Sequence, residues 1–384
     1  MLELTFTGDL NLSGIFYDKV SDNIEIFSSK ILEIFLSSDY TIANLEGCTT
    51  DRKNYIREDI NISSPKNSIN YLKNRKINIF NLANNHIFDC GVEGFIDTKN
   101  NILENNLNYN GAGSDIDEAS KIIYRSKNNV KVAIISIAFN EGLIAGENKP
   151  GIFCINNNML LLRKRVHEAK KNANWVVVNY HGGEEYSFYP SPSKRKLLRN
   201  ISNLDNVDVV ISHHSHTFQG IEKTKSGKLI FYSLGNFIFD FYSHKLYKNT
   251  SKGALVKFNF TEKEIEYSLF PIEIDTMNGK IINGDMNFVK KEIKNLSDFT
   301  NYWNKWLKDS YRLIFDNKAE DLIEKKNTDN DSLKALKNNT FLSLLFNLKF
   351  YKRVFLILKN ENERYIYSGA VIYKILLKLK LVAK

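Results

Sequence analysis

Residues 206–219 (NVDVVISHHSHTFQ) constrain the fold more than any other stretch, because a buried strand ends there in a cluster of histidines. The run from 206 to 211 contains three valines and one isoleucine, which predicts a short strand inside a sheet. His213, His214 and His216 follow it, although the whole chain has only seven histidines, so a polar loop with unrelated histidines is the weaker interpretation. Imidazoles at His214 and His216 can point to one place if both bind a metal ion there.

Four other predicted strands also end in residues that can bind metals. Asp9 follows the strand at 2–7, Glu46 the strand at 40–43, Asn85 and His86 the strand at 77–82, and His181 the strand at 175–180. Further strands are predicted at 130–139 and 228–232, and 254–260 with 265–270 are predicted as an antiparallel hairpin. Any one of these polar residues can be explained as a turn, cap or loop residue. Because the carboxyl ends of the strands share one edge in layered α/β proteins, all of them can converge on a single crevice.

The candidate ligands suit a pair of divalent ions. They are two carboxylates, one amide and three imidazoles, namely Asp9, Glu46, Asn85, His181, His214 and His216. The nitrogen content favours Mn²⁺, Fe²⁺ or Zn²⁺ over Mg²⁺. Two such ions can activate a water between them and bind the oxygens of a phosphate ester, which predicts phosphoester hydrolysis. His86 would act at the leaving group as an acid or charge stabiliser, and Asp89 would orient its ring.

These motifs, in this order, resemble the CapA family of capsule and poly-γ-glutamate synthesis proteins, which is similar to the calcineurin-like metallophosphoesterases. The resemblance covers residues 2–272. The motifs that carry it are Gly8-Asp9, Asn44-Leu45-Glu46, Leu82-Ala83-Asn84-Asn85-His86 with Asp89 and Gly91, His181 through Tyr186, His214 and His216 with Gln219, and Tyr232-Ser233-Leu234-Gly235-Asn236-Phe237.

The resemblance implies an α/β fold, a metallophosphoesterase-like β-sandwich flanked by helices (αββα) with a C-terminal helical extension and a dinuclear site at one edge. It assigns Asp9 and His216 to the first ion, Glu46 as the bridge, and Asn85, His181 and His214 to the second ion. It also implies substrate-binding residues at the same edge, namely Asn11, Asn44, Glu185, Tyr186 and Asn236.

The chain departs from the pattern of these families at several positions. Asn11 stands where classical metallophosphoesterases often have a histidine, and Glu46 occupies the position of the usual bridging aspartate. Gly182, Ser212 and Ser215 replace the Trp, Gly and Pro of the capsule family. Asn11 would weaken the hold on one ion, and the extra methylene of Glu46 would change the spacing of the ions. The differences at Gly182, Ser212 and Ser215 leave the ligands in place and bear on the fit of the substrate.

Two main functions therefore remain open. The first is a metal-dependent phosphoesterase that acts in the synthesis of capsule, poly-γ-glutamate or another cell-envelope polymer. The second is a non-catalytic component that binds an anionic polymer such as polyglutamate, or that takes part in assembly and export. Ligation or transfer of the polymer is a third possibility. The partners predicted are an anionic polymer or phosphoester substrate and membrane proteins of capsule synthesis.

The sequence predicts three regions: a CapA-like domain at 1–275, a helical extension packed on it at 276–325, and a basic amphipathic helical tail at 326–384. Residues 331–384 contain eleven Lys/Arg and three Asp/Glu, so almost all of the net charge of +9 belongs to the tail. Its apolar and basic segments at 341–358 and 365–382 suit an anionic lipid surface, a protein partner or the chain's own domain. No nucleic-acid-binding motif accompanies the charge.

Composition also bears on location. The three cysteines are widely spaced, which fits a reducing compartment and argues against a disulfide framework. The first residues enter a strand pattern at once, so no signal peptide is predicted, and no apolar run is long enough to span a bilayer. We therefore expect a cytoplasmic protein with peripheral contact at the inner face of the membrane.

Overall fold

Two β-sheets pack face to face between outer helices, so the predicted α/β class with αββα layering is confirmed. The computed structural model describes residues 1–52, 62–139, 142–204, 207–316, 361–378 and 382. The strands of this described part are β1 (Leu2–Leu10), β2 (Tyr40–Leu45), β3 (Cys48–Thr49), β4 (Ser63–Ser64), β5 (Ile77–Asn81), β6 (Asn108–Asn110), β7 (Ala112–Gly113), β8 (Ile123–Lys127), β9 (Val130–Ala138), β10 (Gly151–Ile152), β11 (Trp175–His181), β12 (Val209–His213), β13 (Phe218–Lys223), β14 (Leu229–Leu234), β15 (Asn236–Ile238), β16 (Lys252–Phe260), β17 (Ile265–Asp275) and β18 (Lys280–Asn283).

The helices connect these strands and cover the outer faces of the sheets. They are α1 (Tyr17–Ser21), α2 (Ser29–Leu36), α3 (Ser68–Lys73), α4 (Gly91–Glu104), α5 (Ile116–Ala119), α6 (Ile155–Asn172), α7 (Pro192–Ser202), α8 (Lys294–Leu296), α9 (Tyr302–Tyr311) and α10 (Glu361–Lys378), with shorter 3₁₀ segments at Gly14–Phe16 and Tyr242–Leu246 and π-helical turns at Phe288–Ile293 and Arg312–Asp316.

The first sheet has the strand order β18-β17-β16-β1-β2-β5-β6, and β15 also pairs with β1. Its strands β1, β2, β5 and β6 are parallel to one another. The predicted hairpin is confirmed as β16 and β17, which pair antiparallel beside β1. The parallel strands therefore present their carboxyl ends at one edge.

The second sheet has the order β13-β14-β12-β11-β9-β8, with four parallel strands in the middle and an antiparallel strand at each edge. The central strands β9 and β11 read VKVAIISIA and WVVVNYH. Such nearly continuous β-branched runs are typical of strands that are buried on both faces. One face of the sheet packs on the first sheet, and α6 and α7 cover the other.

Helix α7 shows how local sequence signals build an outer layer. Ser191 caps the helix by accepting a hydrogen bond from Lys194 N, and Pro192 occupies its first turn, where no amide hydrogen is needed. Leu198 and Ile201 are fully buried against the second sheet. Each of these side chains contributes roughly 1.5–3 kcal/mol by leaving water.

The C-terminal segments form a small helical layer of their own. Trp306 and Leu307 of α9 pack with Tyr373 of α10 in one buried cluster. The sequence left three placements open for the tail: a lipid surface, a protein partner or the chain itself. Helix α10 of this tail contacts the chain itself, at α9. The predicted linker that follows Lys325 and the predicted tail segment 341–358 lie outside the described residues. Among the helices that are described, none is long and apolar enough to cross a membrane.

Candidate metal centre

The polar residues at the strand ends of both sheets meet at one edge of the sandwich. Asp9 and Glu46 belong to the ends of β1 and β2, while His181 and His214 belong to those of β11 and β12. The amide of His214 donates to Asp9 Oδ2 (3.2 Å), and His181 Nε2 lies 3.8 Å from Glu46 Oε1. All four side chains are buried. The crevice predicted from the strand ends is therefore present.

A close backbone approach places two asparagines beside Asp9. Asp9 is in register with Asn44 of β2 and with Asn236 of β15. A Cβ atom at Gly8 would lie 2.0 Å from the Gly235 carbonyl oxygen, so only glycine allows β15 to come this near to β1. The glycine thus brings Asn236 into the site.

One group of donor atoms consists of Asp9, Glu46 and His216, which offer one atom each within 4.8 Å of one another. His216 Nε2 lies 3.7 Å from Glu46 Oε1. His216 Nδ1 is 2.9 Å from the Asn236 Oδ1 atom. These three residues are the ones expected at the first ion. Asn236 contacts the other ring nitrogen of His216.

A second group consists of Glu46, His181 and His214, again within 4.8 Å. His181 Nε2 lies 2.9 Å from Asn85 Oδ1 and 3.1 Å from His214 Nδ1. The structure therefore brings together all six predicted ligands, with Glu46 common to both groups. Their role as ligands stays a prediction.

The spacing of these atoms suits shared cations. Separations of 3.7–3.8 Å between Glu46 Oε1 and the two imidazole Nε2 atoms of His181 and His216 are longer than hydrogen bonds. Ligands at about 2.0–2.2 Å from one ion lie roughly 3–4 Å from each other. Burial lowers the pKa of His214 to about 4, and burial with the neighbouring histidines lowers that of His181 well below its ordinary value. Both imidazoles are therefore neutral and keep a lone pair.

The carboxylate of Asp9 stays ionised. Burial raises its pKa, but the contact with His213 and the electrostatic interaction with the surrounding histidines outweigh burial, so the pKa falls below its ordinary value. A buried anion of this kind requires positive charge close by. The donor set thus fits divalent cations.

Two of the predicted ligands adopt a strained backbone. His214 and His216 have φ values of 86° and 54°, in the left-handed region that glycine prefers. For other residues this conformation costs on the order of 1 kcal/mol or more, and it is concentrated at functional sites. The strained backbone of the loop after β12 therefore sets the orientation of both rings.

The predicted catalytic pair is also in place. Asp89 Oδ2 lies 2.7 Å from His86 Nδ1, and His86 Nε2 lies 3.9 Å from Glu46 Oε1. Both side chains are buried. Asp89 therefore holds the ring so that its other nitrogen faces the metal ligands.

Among the predicted substrate-binding residues, Asn11 and Asn44 are engaged inside the protein. Asn11 Nδ2 donates to the Glu46 carbonyl (2.7 Å), and its Oδ1 accepts from Ser13 N (2.9 Å). Asn44 Nδ2 donates to Asp9 Oδ1 (2.8 Å) and lies 3.2 Å from His181 Nδ1. Asn11 thus bonds to the backbone of Glu46 and Asn44 to the side chain of Asp9, so both asparagines support predicted ligands.

Glu185 and Tyr186 lie on the opposite side, in the loop after β11. Glu185 offers a carboxylate oxygen within 4.8 Å of nitrogen atoms of His214 and His216. Tyr186 has a left-handed backbone (φ 61°), stacks on Tyr247 with ring centroids 3.9 Å apart, and lies 6.0 Å from the His216 ring. This loop forms the outer wall of the site.

The helical extension holds that wall. Asp309 Oδ2 accepts hydrogen bonds from the amides of Phe188 (2.6 Å) and Tyr189 (3.1 Å), and its carboxylate pairs with Arg312 (2.7 Å). Arg312 Nη2 in turn donates to the Tyr186 carbonyl (2.9 Å). Residues outside the predicted CapA-like domain therefore position a wall of its site.

Two buried groups of opposite charge, Glu184 and Lys194, lie near the start of the same loop. Burial raises the pKa of Glu184 and lowers that of Lys194 to about 8, while the two opposite charges attract. Lys194 Nζ donates to the His213 carbonyl (3.5 Å). A Cβ atom at Gly182 would lie 2.6 Å from Phe139 Cβ, so this loop has no room for the larger side chain of the capsule family.

Two histidines in the site were not assigned from the sequence. His213 Nδ1 lies 3.3 Å from Asp9 Oδ1, and its place in the histidine run was the one available signal. The ring of His244 lies 4.2 Å from that of His216, measured between centroids. Burial, together with His216 and His86, lowers the pKa of His244 well below its ordinary value. No motif pointed to His244, since it comes from a 3₁₀ segment outside the strand pattern.

Comparison with known proteins identifies relatives along most of the chain. A family profile described as Bacterial capsule synthesis protein PGA_cap matches residues 3–241. The chain is 31% identical over 334 residues to the PGA biosynthesis protein CapA of Bacillus subtilis, covering 85% of each protein. It is 33% identical over 280 residues to the capsule biosynthesis protein CapA of Bacillus anthracis, covering 70% of this chain and 67% of that protein.

Among solved structures, a phosphatase from Mycoplasma pneumoniae aligns with a TM-score of 0.46 and 13% identity, over 77% of this chain and 98% of that one. The matched profile contains all six predicted ligands and ends three residues before His244.

Proposed function

Because the chain belongs to the bacterial capsule synthesis family PGA_cap, we propose that it is a dinuclear metal-dependent phosphoester hydrolase in the synthesis of a capsule or related cell-envelope polymer. The observation that carries the proposal is the pair of donor groups that share Glu46, each within 4.8 Å. A carboxylate common to two groups is the feature that a bridged pair of ions requires.

Asp9 and His216 would hold the first ion, Asn85, His181 and His214 the second, and Glu46 both. Mn²⁺, Fe²⁺ or Zn²⁺ fits the mixed nitrogen and oxygen donors. When bound, the ions would supply an activated water and a positive clamp for phosphate oxygens.

His86 would protonate the leaving group. Its Nδ1–H donates to Asp89, which stabilises the protonated imidazole as a buried carboxylate does. The proton at Nε2 can then pass to the ester oxygen as its bond to phosphorus breaks. Asp89 keeps the ring in place.

The substrate class that we propose is a phosphoester connected with an anionic polymer. The name of the B. subtilis relative refers to PGA biosynthesis, and a site that holds two divalent ions would be cationic and would suit a polyanion. Membrane proteins of capsule synthesis are the partners that such a role requires.

Elemental analysis followed by a phosphoester panel tests the proposal. We expect about two ions per chain in the wild type and Mn²⁺-dependent hydrolysis. His214→Ala should lose metal and activity, whereas His167→Ala, a matched change on α6 beside a separate surface cavity, should keep both. Unchanged metal content in His214→Ala would contradict the assignment of this ligand.

Asn11 favours a second candidate, a non-catalytic component that binds the polymer. Its amide bonds to the Glu46 carbonyl and to Ser13 N in place of the imidazole that classical metallophosphoesterases often have there, so the first ion would lack one nitrogen ligand. Protein that lacks metal, hydrolyses no ester and binds polyglutamate would support this second function and exclude the first.

A further inference from the structure

His244 is a buried imidazole that lies against the predicted first metal site. Its side chain is 5% exposed and packs near Phe239 and Tyr186, at centroid distances of 4.7 and 5.5 Å. The ring of His216 is closer still, at 4.2 Å. His244 lies beyond residue 241, where the match to the family profile ends.

Hydrogen bonds determine which nitrogen of His244 carries the proton. Asn236 Nδ2 lies 2.9 Å from the Thr250 carbonyl, which can only accept, so this atom of the amide must be the donor. The same Nδ2 lies 3.2 Å from His244 Nδ1, which therefore accepts. In the neutral ring the proton is then on Nε2.

The same amide sets the tautomer of the neighbouring ligand. Since Nδ2 is the donor, Asn236 Oδ1 must accept, and it lies 2.9 Å from His216 Nδ1. His216 Nε2 is then left with a lone pair toward Glu46. One asparagine thus prepares His216 to bind a cation and His244 to donate a hydrogen bond.

The Nε2–H group of His244 is available to a ligand. In the part of the chain that the structure describes, Asn236 is the hydrogen-bond partner of this ring, and the bond uses Nδ1. Nε2 makes no hydrogen bond to any residue that the structure describes, and the ring lies beside that of His216 at the predicted first metal site. The backbone of the segment is held by Thr250 Oγ1, which donates to the His244 carbonyl (2.6 Å).

We propose that His244 donates its Nε2–H to a phosphoryl oxygen of the substrate, next to the ion held by His216. The inference rests on the proposed phosphoesterase function and extends it. A neutral donor in a buried site stabilises an anionic oxygen without repelling a nearby cation. His244 is thus a substrate-binding residue rather than a ligand.

Two substitutions separate the functions of the two ring nitrogens. In His244→Gln the amide places an N–H near the position of Nε2, whereas in His244→Asn it reaches only the position of Nδ1. Full-length, Mn²⁺-loaded protein is titrated calorimetrically with inorganic phosphate, and metal per chain is measured in parallel. We expect His244→Asn to bind phosphate about tenfold more weakly, as for the loss of one hydrogen bond to a charged group, and His244→Gln to bind nearly as well as the wild type. Metal content should be unchanged in both.

Equal weakening in the two variants, unchanged phosphate affinity in His244→Asn, or loss of metal from both would overturn the proposal. Selective weakening of polyglutamate binding with phosphate affinity intact would also overturn it, in favour of a carboxylate ligand. If the wild type binds metal and phosphate but hydrolyses no ester, the proposed enzyme activity fails while the phosphate titrations still decide the role of His244.

Discussion

The two sides of the candidate centre are built in different ways. Asp9, Glu46 and His181 stand at the ends of paired strands, so the register of the two sheets positions them. The opposite wall, with Tyr186 and His244, consists of irregular segments that are held by side-chain contacts. The first side is therefore as rigid as the sandwich, whereas the second depends on a few polar bonds.

This difference separates metal binding from substrate positioning. The strand side contains most of the predicted ligands, and the wall contains groups that would contact the substrate. The contacts that hold the Tyr186 loop of this wall come from Asp309 and Arg312, more than 100 residues away along the chain. A substitution on the strand side should therefore lower metal content, whereas a substitution on the wall should lower kcat/KM and leave the metal content unchanged.

The largest effect is expected on the strand side, from Asp9→Asn. Loss of the carboxylate should release metal and lower hydrolysis about a thousandfold, because bound ions supply several kcal/mol of transition-state stabilisation. Elemental analysis and kcat/KM measure this. Asp39→Asn, just before the amino end of β2, is the matched control and should keep its metal. Full metal content in Asp9→Asn would contradict the conclusion that the strand side binds the metal.

On the wall, Asp309→Asn should lower kcat/KM about tenfold to a hundredfold with metal content unchanged, because the loop that carries Tyr186 loses its anchor. The free energy of unfolding should also fall by about 1–3 kcal/mol, because the amides of Phe188 and Tyr189 lose a charged acceptor. Chemical denaturation and steady-state kinetics measure the two effects.

Asp298→Asn is the matched control for this prediction. Asp298 pairs with Lys305 on the same extension, but its side chain is 55% exposed, so its replacement should change little. Loss of metal from Asp309→Asn would show that the two sides are not separate.

A smaller effect is expected from Asn44→Ala, which leaves every predicted ligand in place. Asn44 bonds to Asp9 and lies beside His181, and groups behind metal ligands typically contribute about tenfold or more to affinity. Competition with a chelator measures the change in metal affinity. Asn172→Ala on the exposed end of α6 should leave the affinity unchanged, and equal affinities in all three proteins would show that Asn44 does not support the ligands.

The smallest effect concerns pH. The pKa of His214 is lowered from 6.5 to about 4, so between these values the unfolded chain binds a proton that the folded chain does not. The free energy of unfolding of metal-free protein should therefore decrease as the pH falls from about 6.5 toward 4. Thermal unfolding at several pH values should show a shallower dependence in His214→Asn. His181 and His244 act in the same direction, so part of the slope should remain, and an identical slope would rule out this contribution.

Much of the fold and of the strand side could be predicted because the signals are local. Runs of β-branched residues mark buried strands, and a histidine or carboxylate that follows such a run must lie near the sheet edge. The residues of the wall do not stand directly at the end of a β-branched run, so this pattern did not indicate their position. His244 lies in a short 3₁₀ segment, and the role of Asn236 depends on what its amide meets in space.

The amino-acid sequence by itself determined the layered α/β class and the residues that stand at the strand ends, because hydrophobic patterning over five to ten positions is enough to specify both. Only the tertiary structure decided that Asn236 connects His216 to His244 and that Asp309 holds the loop of Tyr186. Such contacts join segments that are distant in sequence, and a single hydrogen bond between two side chains leaves no periodic pattern in the chain.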